Sequence, residues 1–326
     1  MGAIIITFIQ KAITQGMPIM FGALGEIVTE KSGNLNLGIP GIMYMGGTGG
    51  LVGAFIYENS TKTPNGFVGV IIAFICALLF AALGGLIYSV LTVSLRANQN
   101  VTGLALTIFG VGFGNFIGGS LSKLAGTAGQ VTVFTTGQAF KTTIPGASNL
   151  GAVGDVLLSY GFLTYLGIIL AIVIWYFLTR TRKGLCLRAV GENPATADAA
   201  GINVTRYKYV ATCTGAAIAG LGGLYFVMEY LGGTWQNNGF GDRGWLAIAL
   251  VIFARWNPLH AIWGSLLFGG LYILFAYLPF DTAVQEIIKM LPYVVTIIVL
   301  VLTSRRKRRE DQPPDSLGLS YFREDR

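Results

Sequence analysis

The sequence predicts an all-α, polytopic membrane protein. It has about nine transmembrane or re-entrant helices, an N-terminus outside and a C-terminus in the cytoplasm. Three observations predict it. Only 11% of the 326 residues are charged and 53% are hydrophobic, less than half the charge density of an ordinary soluble domain. Forty-six glycines suit helices that approach closely in lipid. Lys and Arg gather on alternate connections between apolar segments, as the positive-inside bias requires.

A bilayer core takes about 20 apolar residues per helix. Nine segments qualify, near 5–28, 37–57, 67–95, 101–121, 157–179, 208–228, 244–256, 258–278 and 286–304. The seventh is too short to cross untilted and reads as half of a broken or re-entrant element. The first lacks a basic residue before Lys11 and a small-residue cleavage site, so it reads as a retained span. Residues 1–304 form the permeation domain, with a cytoplasmic loop at 180–207. Residues 305–326 form a basic anchor, Arg305–Arg309, and a tail expected to be disordered.

With the C-terminus inside, the inside connections hold Lys31, Arg96, Arg180, Arg182, Lys183, Arg188, Arg206 and Lys208 beside the anchor. The outside ones hold only Lys62, Lys123, Lys141 and Arg243. The net charge of +7 follows this distribution, which excludes a nucleic-acid surface. The outside stretch 122–156, rich in Gly, Thr and Ser, reads as a cover over a pathway, a docking site for a soluble partner, or a solvated connector.

Catalytic chemistry is missing. No G-x-x-x-x-G-K-[ST] phosphate loop occurs, the only histidine is His260, and Cys76, Cys186 and Cys213 lack metal or redox spacing. Gly110, Gly114 and Gly118 lie four apart on one face of the fourth span, a spacing for close helix packing. Intramembrane ionisable groups are functional suspects. For Glu229, Arg255, Glu286 and Lys289 interfacial snorkelling is the favoured reading, with Glu286 and Lys289 placed to pair at i and i+3.

One polar stretch interrupts the apolar chain: "RAVGENPATADAAGINVTRYK", Arg188–Lys208. Arg188–Pro194 reads as a turn into a short helix, about 194–200. Asn193 caps it, Pro194 opens it and Gly201 supplies a left-handed end. The exposed face is small and mostly uncharged, suited to a groove on another protein or to a plain connector.

"GENPATADAAGI" (Gly191–Ile202) resembles the cytoplasmic coupling segment of bacterial ABC-importer permeases. The resembling group is that of the ribose and branched-chain amino acid permeases, with its nucleoside and simple-sugar branch. "GEIVTEKSGNLNLGIPGIMYMGG" (Gly25–Gly47) resembles that family's glycine-rich element between two early spans. "ALVIFARWNPLHAIWGSLLFGGLYI" (Ala249–Ile273) resembles its marked turn between late spans. The resemblance covers nearly the whole chain, and the "EKSGNLNLG" form looks most like nucleoside importers. Sugar permeases of the group carry an acidic position where this chain has Asn34-Leu35-Asn36, a departure that counts against a sugar.

The resemblance implies a non-enzymatic, cofactor-free permease subunit in a bacterial cytoplasmic membrane. Its implied partners are an ATP-binding subunit, a second and different permease, and an extracytoplasmic substrate-binding lipoprotein. The alternatives are the same kind of permease for a simple sugar or a branched-chain amino acid, and a secondary transporter that needs no ATPase. Secondary transporters usually carry mid-membrane coupling carboxylates, and Glu26 alone is a candidate here. Gly191, Glu192, Asn193, Pro194, Ala195, Ala199, Ala200 and Gly201 are the expected ATPase-coupling residues. Asn34, Asn36, Phe109, Asn115, Trp235, Gln236 and Asn237 are candidates for the substrate pathway. Each has a structural alternative: backbone satisfaction at a helix break for Asn34 and Asn36, helix packing for Phe109 and Asn115, and an interfacial anchor for the Trp235 stretch.

Overall fold

The computed structural model describes residues 2–124, 126, 131–145, 151–278, 281–304 and 312–322. It is all-helical, with one isolated antiparallel bridge, Thr132 to Thr234. Seven helices are long and apolar enough to cross a bilayer. They are α1 (Gly2–Glu30), α2 (Ile39–Ser60), α3 (Gly66–Ser89), α4 (Gln99–Leu124), α7 (Phe162–Arg180), α10 (Val204–Leu224) and α12 (Pro258–Leu274). Two of them end in wide π turns, Val90–Ser94 after α3 and Tyr225–Tyr230 after α10. Between them lie α5 (Phe134–Phe140), α6 (Gly151–Leu157), α8 (Arg182–Glu192) and α9 (Pro194–Ala199). After α10 come α11 (Arg243–Phe253), and after α12 come α13 (Thr282–Lys289) and α14 (Leu291–Ser304).

Helix α2 is the hub, packed against α3, α4 and α10. Small residues make that possible. A Cβ on Gly110 of α4 would land on the Gly41 backbone of α2, so the two helices touch backbone to backbone. Gly114 faces Tyr44 and Thr48 in the same seam. The other layer is α1, whose buried run Met17–Val28 packs on α10, α11 and α12.

The seventh segment is α11, 11 residues and about 16 Å long, as short as its sequence suggested. Other expectations need correction. The ninth is not one helix: it divides into α13 and α14 at Met290, just before Pro292. A proline cannot donate into the preceding turn. Arg188–Glu192 is the last part of helix α8, not a turn. The 122–156 stretch carries α5 and α6.

Two charged side chains, one assigned to an interface and one to an outside connection, are buried. Glu229 accepts hydrogen bonds from Gly161 N (3.0 Å) and Thr164 Oγ1 (3.1 Å), holding the start of α7. Arg243, counted as an outside-loop cation, is 5% exposed. Glu286 and Lys289 do form their ion pair, at 2.5 Å on the surface.

The tail is the largest departure. Gln312–Phe322 is not disordered but folds back on the body. Leu317 packs on the main core, and Tyr321 packs on a small cluster of Val190, Ala197 and Val204. Charge and a Pro-Pro pair suggested disorder. The apolar SLGLSYF run inside that composition has enough side-chain surface to dock. The Arg305–Arg309 anchor lies outside the described residues.

Candidate functional site

The irregular stretch 231–242 connects the π turn after α10 to α11. Its depth follows from α11. Arg243 at the head of α11 meets Gln15 in the middle of α1, and Trp256 beyond its end donates an indole hydrogen bond to Glu30 at the end of α1. Non-helical backbone at such depth is tolerated where protein or a water-lined cavity satisfies it.

Here the backbone is satisfied by amides. Asn115 Nδ2 donates to Asn238 Oδ1 at 2.8 Å, and Asn238 N donates back to Asn115 Oδ1 at 3.0 Å. Trp235 Nε1 donates to Asn237 Oδ1 at 2.8 Å. Val133 N donates to Gly233 O, tying in the segment before α5. Trp235 is buried on Gly118 of α4, while Gln236 and Asn237 are exposed and line a cavity of about 300 Å³.

Beneath the amides lies an aromatic cluster that sequence reading missed. Phe240 sits 4.4 Å from the Tyr44 ring, 4.5 Å from Phe226 and 6.2 Å from Trp235. Arg243 closes it. Its guanidinium lies 4.7 Å from both the Phe226 and Tyr272 rings, a cation–π arrangement. Its donors reach Gln15 Oε1 (3.1 and 2.6 Å) and the Phe240 carbonyl (2.9 Å). Aromatics inside apolar spans look alike in sequence, so nothing there marks Tyr44, Phe226 or Phe240 as one group.

Four pathway candidates therefore come together: Asn115, Trp235, Gln236 and Asn237. The other three do not join them. Thr107 Oγ1 of α4 donates to Leu37 O at 2.7 Å, so the Asn34–Asn36 break lies about 12 Å along α4 from Asn115. Asn34 and Asn36 are fully buried. Asn34 Nδ2 donates to Thr212 Oγ1 (2.9 Å), Asn36 N donates to Glu26 Oε1 (2.9 Å), and Gly38 N donates to Asn36 Oδ1 (2.9 Å). These bonds hold the break between α1 and α2. Phe109 stacks on Phe113 and is half exposed on the outer face of α4.

The coupling candidates form a second patch. Asn193 Oδ1 accepts Thr196 N at 2.9 Å, and Pro194 opens α9. Gly201 at φ +82° ends the turn, a left-handed conformation that favours glycine. Ala195, Ala199 and Ala200 are exposed, while Ala197 faces inward. The patch rests on the helix break: a Cβ on Gly191 would land on the Lys31 carbonyl. The tail joins both. Ser316 N donates to Gly191 O and Gly318 N donates to Gly33 O. Tyr321 OH donates to Asp198 Oδ2 at 2.9 Å. Among the described residues no group of three or more His, Cys, Asp or Glu side chains is placed to hold a metal ion.

Residues 8–300 match the family described as branched-chain amino acid transport system / permease component. The chain belongs to that family. It is similar to a nucleoside ABC transporter permease, NupC, of Lactococcus lactis, 32% identical over 87% of this chain and 88% of the relative. It is similar to a guanosine ABC transporter permease, NupQ, of Bacillus subtilis, 29% identical over 90% of each chain. A putative glucose ABC transporter permease, TsgC13, of Haloferax volcanii is 31% identical over 77% of this chain and 71% of the relative. No solved structure matches. The chain is thus a multi-pass membrane permease of the ABC type. Its α8–α9 unit and its amide–aromatic patch lie at opposite ends of α10, at its head and its foot.

Proposed function

We propose that this permease is the membrane subunit of an ATP-driven importer that moves nucleosides across the cytoplasmic membrane of a bacterium. The observation that carries the reading is similarity over nearly the whole chain to permeases named for nucleosides and for guanosine. The amide–aromatic patch supports it. A nucleobase is flat, neutral and rich in hydrogen-bonding edges, and aromatic rings beside amides suit such a solute.

In this reading the N-terminus is outside, the C-terminus is cytoplasmic, and α11 with its preceding loop is re-entrant. Asn115, Trp235, Gln236 and Asn237 line the pathway. Phe109, on the exposed face of α4, borders the wall that a second and different permease subunit completes. Gly191–Gly201 docks in a groove of a separate ATP-binding subunit, which supplies all hydrolysis. A substrate-binding lipoprotein delivers solute from outside. Asn34 and Asn36 act as the brace through which movement of α9 reaches α1 and α2.

Uptake of labelled nucleosides tests it. A strain lacking this gene should lose uptake of purine or pyrimidine nucleosides and keep ribose uptake. Unchanged nucleoside uptake with loss of a simple sugar or a branched-chain amino acid would move the chain to another branch.

A further inference from the structure

A cavity of about 730 Å³ opens where the end of α3 meets the start of α10. Three cations line it, Arg96, Arg206 and Lys208, against one acid, Asp198. Tyr321 of the tail forms part of its wall and donates to the Asp198 carboxylate, which occupies that acceptor locally.

Lys208 decides its chemistry. The residue is only 3% exposed and lines the cavity, and among the described residues its side chain makes no hydrogen bond or ion pair. An ammonium that buried is unfavourable unless an anion accompanies it. Asp198 is the one acid of the lining and accepts the Tyr321 hydroxyl, and against it stand three cations, so the cavity carries a net positive charge.

The opposite wall is held against its own preference. Arg96 has φ +58°, a conformation rare outside glycine, and its guanidinium stacks 4.6 Å from the Phe322 ring of the tail. Strain of this kind persists where the surroundings demand it. The cavity lies between the ends of two helices long and apolar enough to cross a bilayer, and basic pockets at the ends of such helices suit phosphate headgroups.

We propose that this cavity is a phosphoryl-anion site, with Lys208 as its central cation, Arg206 and Arg96 beside it, and the tail as its lid. The site does not depend on the transported solute. Its phosphoryl group comes either from an anionic lipid or from a small soluble compound.

Thermal unfolding of the full chain in neutral detergent tests it. The probes are cardiolipin, a phosphate-free glycolipid and pyrophosphate, with sodium chloride matching ionic strength. A saturable rise in Tm with cardiolipin alone identifies a lipid source, and a rise with pyrophosphate as well identifies a soluble one. Lys208→Met should weaken the response about tenfold or more, the usual effect of losing one charge-assisted bond. Lys208→Arg should keep it and controls for folding. No rise with either phosphate ligand, or an unchanged response in folded Lys208→Met, overturns the proposal.

Discussion

Ser316 donates to the Gly191 carbonyl twice, from its backbone N–H at 3.1 Å and from its hydroxyl at 2.5 Å. One tail residue thus holds the end of α8, just before α9. Two residues on, Gly318 N donates to Gly33 O, so the same tail segment also holds the break between α1 and α2. The docked tail therefore links α9 to that break through hydrogen bonds.

Ser316→Ala should loosen the tail without unfolding the body. The lost hydroxyl bond is worth about 1 kcal/mol, roughly a fivefold change in the docked population. Hydrogen exchange at the Gly318 amide should speed up by that factor. An unchanged rate would mean that the backbone bonds alone hold the tail.

Gly201 separates conformation from crowding. Its φ is +82° and a Cβ there would meet nothing within 4 Å. Only backbone strain then opposes substitution. Gly201→Val should lower stability by about 1–2 kcal/mol, while Gly201→Asn should cost clearly less, because Asn tolerates the left-handed region. Equal Tm values for the two variants would show that the turn relaxes freely.

Gly118 is the reverse case. It is helical, and a Cβ there would land on the Trp235 indole. Gly118→Ala should push Trp235 out of its seat, costing about 1–3 kcal/mol. Its indole hydrogen bond to Asn237 should weaken, shifting tryptophan fluorescence. Nucleoside uptake should fall with it if the amide patch lines the pathway. Normal uptake beside a shifted spectrum would leave Trp235 as an anchor only.

How much of this was legible depends on the element. The long spans follow from apolar length, and the start and end of α9 follow from Asn193, Pro194 and Gly201, whose local preferences agree. The ends of α11 and the division at Met290 were harder, because apolar composition does not register where a helix stops. Burial of Arg243 and Glu229 was not legible at all. A charge near the end of an apolar run reads as interfacial until its partners are known, and here those partners are Gln15, Gly161 and Thr164. The docked tail was hidden for a similar reason: seven residues of mixed apolar character among charges signal nothing without the surface they fit.

Topology follows from accessible positions. Ala197 is buried at 4% exposure, whereas Ala200 is exposed, so Ala200→Cys is the better reporter. On a background with Cys76, Cys186 and Cys213 replaced, it should label only from the cytoplasmic side. Gln236→Cys should label only from outside. Labelling of Ala200→Cys from outside would invert the orientation and displace the ATPase partner from this face.

Ala199 tests the lever itself. It lies on the exposed face of α9, opposite buried Ala197, so a bulky side chain there has room in the isolated chain. Ala199→Trp should therefore leave the unfolding free energy within about 0.5 kcal/mol of the parent, as surface substitutions do. A groove shaped for methyl groups has no such room, and overpacking it costs about 1–3 kcal/mol. The expected outcome is a folded permease that loses the ATPase on purification, or keeps it and hydrolyses ATP without uptake. Measured together, co-purified ATPase, hydrolysis rate and nucleoside uptake distinguish the two. Parental values for all three would make α9 a connector and move the docking surface elsewhere, with the α8 face around Arg188 the next segment to test.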